Sequence, residues 1–414
     1  MTAPLPSACL RGAAQVLRPP RDGLPYVRHD HAGELSLDGG DVVLAGGRIA
    51  GFERDATADV QVDATGCAVL PGFVDCHTHL PFAGWRAEEY ERKVTGVPYA
   101  EIAAAGGGIA ASARALAETG DEAVLAQSQV LATEMLAHGT TAFEGKTGYG
   151  LSHAGEARSA RLGRALAARV GRPMALTGLF AHAVPPGTTA DAWMDEAEAL
   201  ARECDVDALD IFVESVAFKN DHLARMGMIA RATGRPLRAH IEQFAPHRSV
   251  PVALDWGARS VDHLSCLHPY DIAPLAAAEC AAVLLPGAEL LGREATAPGR
   301  ELADAGAIAV LATDLNPGTS PVVSMPLVIG LAVRRYRWTV REALLAATLN
   351  AAWVLGWSAE LGSLEAGKRA DVVLLDGPAE HVPYRFGHNP VAAVFAGGAL
   401  AHVRPDQAWR VERR

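Results

Sequence analysis

The chain has 414 residues, half of them hydrophobic and 21% charged, with 37 Lys and Arg against 48 Asp and Glu for a formal net charge of -11. Such a length can bury a large core, and an acidic balance without a Lys/Arg cluster argues against nucleic acid or an anionic membrane as partner. The six scattered cysteines, Cys9, Cys67, Cys76, Cys204, Cys266 and Cys280, form no CxxC pair and read as free thiols of a reducing compartment.

The opening residues, MTAPLPSACLRGAAQVL, lack the charged start and apolar run of a secretory signal. No stretch approaches the roughly 18 uninterrupted apolar residues of a membrane helix. The expectation is a soluble, cytoplasmic protein. From about Gly39 to Leu70, short alternating runs such as DVVLAGGRIAGFE and DVQVDATGCAVL are separated by turn residues and predict strands of a small sheet. RADVVLLDG and PVAAVFAGGALAHV near the other end have the same character, so one small β domain is expected to draw on both termini.

The middle of the chain alternates differently. GFVD, TTAFEG, MALTGLF, ALDIFVE, PLRAH, RSVDH, AAVLLP and IAVLAT are near-continuous apolar strands. Between them lie helical stretches such as AGEARSARLGRALAARV, ADAWMDEAEALARE and DHLARMGMIARATG. Buried strands followed by amphipathic helices mark a parallel sheet with helices outside. Eight of them favour closure. The predicted fold is α/β: a (β/α)8 TIM barrel over residues 69–358, with a small β-sandwich domain formed from residues 1–68 and 359–414. Neither GxGxxG nor GxxxxGK[ST] follows a strand, so nucleotide binding has no support.

The chemistry concentrates at strand ends. VLPGFVDCHTHL closes an apolar strand with His77-Thr78-His79, and side chains two apart on a strand point the same way. Two imidazoles so placed can share a metal ion. His240 ends PLRAH, His263 ends RSVDH and Asp314 ends the IAVLATD run. Each could alone be a hydrogen-bonded rim residue, but five of them at one barrel mouth point to a metal site. Apart from His182, the remaining ten of the 15 histidines lie off the strand ends or in loops and helices and read as non-ligands.

These residues resemble the amidohydrolase superfamily and, within it, the imidazolonepropionase family of histidine degradation. DCHTHLPFAGWRAEEYE, IAAAGGGIAAS, EGKTGYGL, FAHAVPP, SVDHL, VLLPGA, ATDLNPGTSP and HVPYRFGHN carry the resemblance, in the family's order, from about residue 69 to 390. It implies a metal ion, zinc or iron, on His77, His79, His240 and Asp314, a donor set that suits either. Such an ion lowers the pKa of water towards about 7. The resemblance makes Asp314 the proton carrier to the leaving nitrogen, and His263 and His182 the groups that polarise the carbonyl or hold its oxyanion. Arg86 would grip the carboxylate arm of a small cyclic amide substrate, a task that suits its bidentate fork. Tyr149, His182, Asn316, Gly318 and Thr319 match the substrate-binding loops, and a homodimer is implied.

One position departs from that pattern. Where imidazolonepropionases resemble His-x-x-Glu after the third histidine, this chain reads His240-Ile241-Glu242-Gln243. An amide can donate as well as accept but cannot shuttle protons. Opening of 4-imidazolone-5-propanoate to N-formimidoyl-L-glutamate is the expected reaction. The alternative is a ring with an extra carbonyl facing Gln243, such as hydantoin-5-propionate. Deamination of an azole or pyrimidine ranks lower because it leans on the absent Glu, and a non-enzymatic scaffold lower still because all four ligand positions are filled.

Overall fold

The computed structural model describes residues 6–53, 56–97, 101–102, 105–292 and 295–413. Residues 1–5 of the N-terminal reading, and Ala103 and Ala104 of the IAAAGGGIAAS motif, lie outside them. Eight parallel strands form the centre: β1 (Phe73–Asp75), β2 (Thr140–Lys146), β3 (Met174–Ala181), β4 (Ala208–Ile211), β5 (Arg238–Ile241), β6 (Ser260–His263), β7 (Ala281–Leu284) and β8 (Ile308–Leu311). Every position of all eight is buried, which is why their sequences run apolar rather than alternating. They pair in chain order from β1 to β4 and from β5 to β8.

Two seams curl this sheet round. Parallel bridges Leu209↔Leu237 and Phe212↔His240 join β4 to β5, and Thr78↔Leu315 joins the chain just past β1 to that just past β8. At the second seam His79 N–H donates to Leu315 O at 2.8 Å, and Asp314 N–H donates to His77 O at 2.9 Å. The seam is therefore built from the same short segments that carry the strand-end histidines and Asp314.

Helices follow the strands and cover the outside. His153–Val170 starts where the Ser152 side chain accepts the Gly155 N–H, and ends at Gly171, whose φ of 62° no β-carbon obstructs. Ala190–Glu203 is capped likewise by Thr189, and Asn220–Thr233 stops at a left-handed Gly234. These are the three helices the amphipathic pattern predicts. Their apolar faces, among them Leu162, Leu166, Met194 and Leu200, are buried against the strands.

Both ends of the chain supply two further five-stranded sheets. One runs in the order Val411–Arg413, Val60–Asp63, Ala8–Ala13, Gly40–Ala45, Arg48–Gly51; the other in the order Ala399–Val403, Val391–Ala396, Val372–Leu375, Ala68–Pro71, Gln15–Val16. Leu10, Val42 and Val62 of the first and Val69, Leu374 and Phe395 of the second share one hydrophobic cluster. Ala68–Pro71 pairs with Val372–Leu375 immediately before the chain enters β1. The terminal sheets thus anchor the strand that leads to His77.

Candidate metal centre and substrate cavity

The C-terminal ends of the parallel strands converge on one cavity, the place where such sheets hold their small-molecule sites. Its walls include His79, Arg86, Tyr149, His182, His240, Gln243, His263, Asp314, Asn316 and Thr319. His77 lies fully buried against this group, its ring 5.4 Å from that of His79 and 4.4 Å from that of His240. Gly318 lies directly under the Arg86 guanidinium. Every residue singled out from sequence is therefore at this one place, although the segments carrying them are spread over more than 240 positions.

The arrangement suits a metal ion. Donor atoms of His77, His79 and His240 lie within 4.8 Å of one another, as do those of His77, His263 and Asp314. Asp314 Oδ1 is 3.4 Å from His77 Nε2 and 3.2 Å from His79 Nε2. His77 Nε2, His240 Nε2 and Asp314 Oδ1 are buried with no hydrogen-bond partner among the described residues. Buried polar atoms left so are costly, and a shared cation satisfies all three at once. The opposite ring nitrogens are engaged: His77 Nδ1 meets Asp262 Oδ2 at 2.6 Å and His240 Nδ1 meets Asp210 Oδ1 at 3.1 Å. A carboxylate can only accept here, so each imidazole carries its proton at Nδ1 and presents a lone pair at Nε2.

Burial sets the protonation of the site. It holds the imidazoles of His77, His79 and His182 well below the usual histidine range and that of His263 down to about 3, so all are neutral at physiological pH. Burial also raises the Asp314 carboxyl, with the neighbouring His263 and His240 opposing it. Two of the cavity-lining residues take left-handed conformations that side chains rarely adopt, His263 with φ 80° and Asp314 with φ 53°. Such strain concentrates where the surrounding fold over-determines a functional geometry.

His182 requires a correction to its expected role. Its Nδ1 is 3.0 Å from Gly148 O, an acceptor only, so Nδ1 carries the proton. In a neutral ring that leaves Nε2 as an acceptor, whereas an oxyanion needs a donor. His182 Nε2 is thus suited to accept an N–H rather than to donate to an oxyanion.

Arg86 is nearly buried, 3.6 Å from Glu89 through Nε, and its Nε and Nη1 have no hydrogen-bond partner among the described residues. Asn316 shapes the adjoining loop: its Nδ2 donates to Asp314 O at 2.7 Å and to Thr319 Oγ1 at 2.8 Å, while its Oδ1 accepts the N–H groups of Gly318 and Thr319. Its amide is thereby committed to the turn that brings Gly318 under Arg86. Sequence reasoning passed over the apolar walls Ile109, Phe212 and Phe244 and the buried charges Glu144, Lys146, Asp210, Arg238 and Asp262. The charges had a signal. Arg238 stands two before His240 on β5, and Glu144 two before Lys146 on β2, so each pair points the same way.

With this geometry in view, the comparisons with known proteins are specific. The chain resembles in fold a zinc-bound adenosine deaminase from Xanthomonas campestris (TM-score 0.67, 18% identity, 96% of this chain and 94% of that one). It is also similar to an atrazine chlorohydrolase from Arthrobacter aurescens TC1 complexed with zinc (TM-score 0.65, 17% identity, 95% and 94%). The Amidohydrolase family profile matches residues 256–401. Nearer relatives are the imidazolonepropionases of Herpetosiphon aurantiacus (40% identity, 90% of each chain) and Rubrobacter xylanophilus (42%, 82% and 83%). That of Xanthomonas axonopodis pv. citri is 40% identical over 87% of this chain and 94% of its own. At this identity and coverage, the chain belongs to the imidazolonepropionase family.

Proposed function

We propose that the protein hydrolyses the cyclic C–N bond of 4-imidazolone-5-propanoate to give N-formimidoyl-L-glutamate, a step of histidine degradation in the cytoplasm. The supporting observation is that Arg86, whose Nε and Nη1 have no hydrogen-bond partner among the described residues, opens onto the same cavity as the buried donors His79, His240 and Asp314. One end of the cavity suits a carboxylate arm and the other a hydrolytic centre. The proposed framework is a closed (β/α)8 barrel over about 69–358, with a β-sandwich domain contributed by the flanking segments.

His77, His79, His240 and Asp314 would hold a single zinc or iron ion. When bound, it supplies a water-derived nucleophile at neutral pH. The residues of the chain do the rest. Arg86 pairs with the propionate and fixes the ring's distance from the ligands. Tyr149 and Thr319 flank the substrate, and His182 Nε2 accepts a ring N–H. His263 donates to the carbonyl oxygen as negative charge develops there. Asp314 takes the proton of the attacking water and delivers it to the leaving ring nitrogen. The apolar Phe212, Phe244 and Ile109 keep bulk water from the reacting centre.

The second reading rests on Gln243, which lines the cavity and whose NH2 could donate to a ring carbonyl. Purified, metal-loaded protein offered both compounds separates the two. Ring opening of imidazolone propionate, abolished by chelation and restored by zinc or iron, is the expected outcome. Turnover of hydantoin-5-propionate alone would transfer the assignment to that ring.

A further inference from the structure

Below the candidate ligands lies a buried line of charge. Asp262 Oδ2 pairs with Arg238 Nη2 at 2.8 Å, and the other arm of Arg238 meets Glu144. Glu144 Oε2 is 2.9 Å from Lys146 Nζ, which is 2.8 Å from Asp210 Oδ2. The order is Asp262, Arg238, Glu144, Lys146, Asp210, alternating in sign, with each side chain at most 1% exposed. The two ends are the carboxylates that hold His77 Nδ1 and His240 Nδ1.

Isolated buried charges are costly, so this line is stable only when each member keeps its neighbours. Hydrogen bonds between its charged members and neutral groups reinforce it. Ser260 Oγ donates to Asp262 Oδ1 at 2.6 Å and accepts from Arg238 Nε at 2.9 Å, Thr177 Oγ1 donates to Glu144, and Arg238 Nη1 also donates to Cys76 O at 2.8 Å. That last bond ties the line to the backbone beside His77. Counting Asp314, four carboxylates face two cations, and the two negative charges left over match a divalent ion.

We propose that Glu144 is a positioning residue for the metal centre: as the middle of this five-member ion chain it makes the two carboxylate-held histidine ligands, one just past β1 and one on β5, act as one unit. The inference rests on the reading of His77, His79, His240 and Asp314 as metal ligands. Glu144 itself touches neither histidine ring. Its removal leaves Arg238 free to pull Asp262, and Lys146 free to pull Asp210, so both Nδ1 contacts shift together. Changes to such outer partners cost about 10–100-fold in metal affinity.

The measurement is zinc affinity by competition with a chromophoric chelator, beside thermal midpoints of the same samples. Glu144→Gln is expected to weaken zinc binding by about tenfold or more. A double-mutant cycle of Asp262→Asn and Asp210→Asn, which does not require the Glu144 variant to fold, is expected to be non-additive. The double variant should lose at least about threefold less affinity than the product of the two single losses. Glu144→Gln that lowers only the thermal midpoint, or a cycle additive within about twofold, overturns the proposal. Wild-type protein that binds no zinc overturns the metal reading itself, so the two failures are distinguishable.

Discussion

At the scale of single residues, the cavity depends on how closely Gly318 approaches Arg86. A β-carbon at Gly318 would lie 1.4 Å from Arg86 Nη2 and 2.0 Å from its Cζ. The reason for glycine there is space rather than backbone freedom, since its φ is not left-handed. Gly318→Ala should leave the fold intact, because the obstacle is the far end of a flexible side chain, but it should displace the guanidinium. Charge-assisted hydrogen bonds of this kind contribute roughly 1.5–3 kcal/mol, so KM for the carboxylate-bearing substrate should rise about 10–100-fold, with kcat changed less. Steady-state kinetics decide it; an unchanged KM would place the carboxylate elsewhere. Asn316 holds the same turn through four hydrogen bonds, so Asn316→Ala should reproduce the effect through the backbone.

At the scale of elements, loops are clamped by the buried carboxylates of Glu156 and Glu214. Glu156, in the helix after β2, accepts the N–H groups of Gly148 at 2.9 Å, Gly150 at 2.6 Å and Leu151 at 3.1 Å. It thereby fixes Tyr149 and the carbonyl that sets the His182 tautomer. Burial outweighs these hydrogen bonds and pushes its carboxyl up to about 7. A carboxyl raised in the folded state keeps its proton there while the unfolded chain ionises. Its contribution is therefore full below the unfolded value of 4.5 and lost as pH rises towards 7. Denaturant unfolding across pH 4.5–7 should show stability falling with pH, and Glu156→Gln should flatten the slope. A slope unchanged in the variant would assign it to another group, such as Asp75, which burial also raises to about 7. On the far side of the cavity, Glu214 accepts the Phe244 N–H at 2.7 Å and meets His247 Nε2 at 2.9 Å, holding the loop that carries Gln243.

At the scale of the molecule, the terminal sheets hold the strand that leads into the curled parallel sheet. Ala68–Pro71 leads into β1 and is flanked by Val372–Leu375 on one side and Gln15–Val16 on the other. Ending the chain at Asp371 would strip that neighbour and expose the cluster of Val69, Leu364 and Val42. Such a truncation should accumulate as insoluble protein, checked by expression and circular dichroism; a soluble, zinc-binding product would show that the parallel sheet stands alone. Metal binding to the folded state alone stabilises by mass action, about 2.7 kcal/mol at a hundredfold excess over Kd. The thermal midpoint of chelator-treated protein should accordingly climb with added zinc. Among the described residues no helix is long and apolar enough to cross a membrane.

The strands were legible because their residues are largely apolar without alternation, and the helices because their apolar residues recur at helical spacing. His77, His79, His240, His263 and Asp314 stood out for a related reason: ionisable side chains ending apolar strands must meet a partner. Local sequence also determined the loop chemistry, since Asn316 and Gly318 act within a few residues of where they stand. What it could not determine were relations between distant strands. Asp262 contacts His77 across 185 positions, and Arg238 meets Glu144 across 94. Nothing in spacing reveals such pairs, because they depend on the sheet's curling to bring β2, β4, β5 and β6 around one axis. The His182 tautomer belongs to the same class, set by the carbonyl of Gly148 from the neighbouring strand end. The sequence alone determined which groups could hold a metal and a carboxylate. Tertiary packing decided which nitrogen His77, His182 and His240 present, because for these buried rings the fold delivers the proton acceptor.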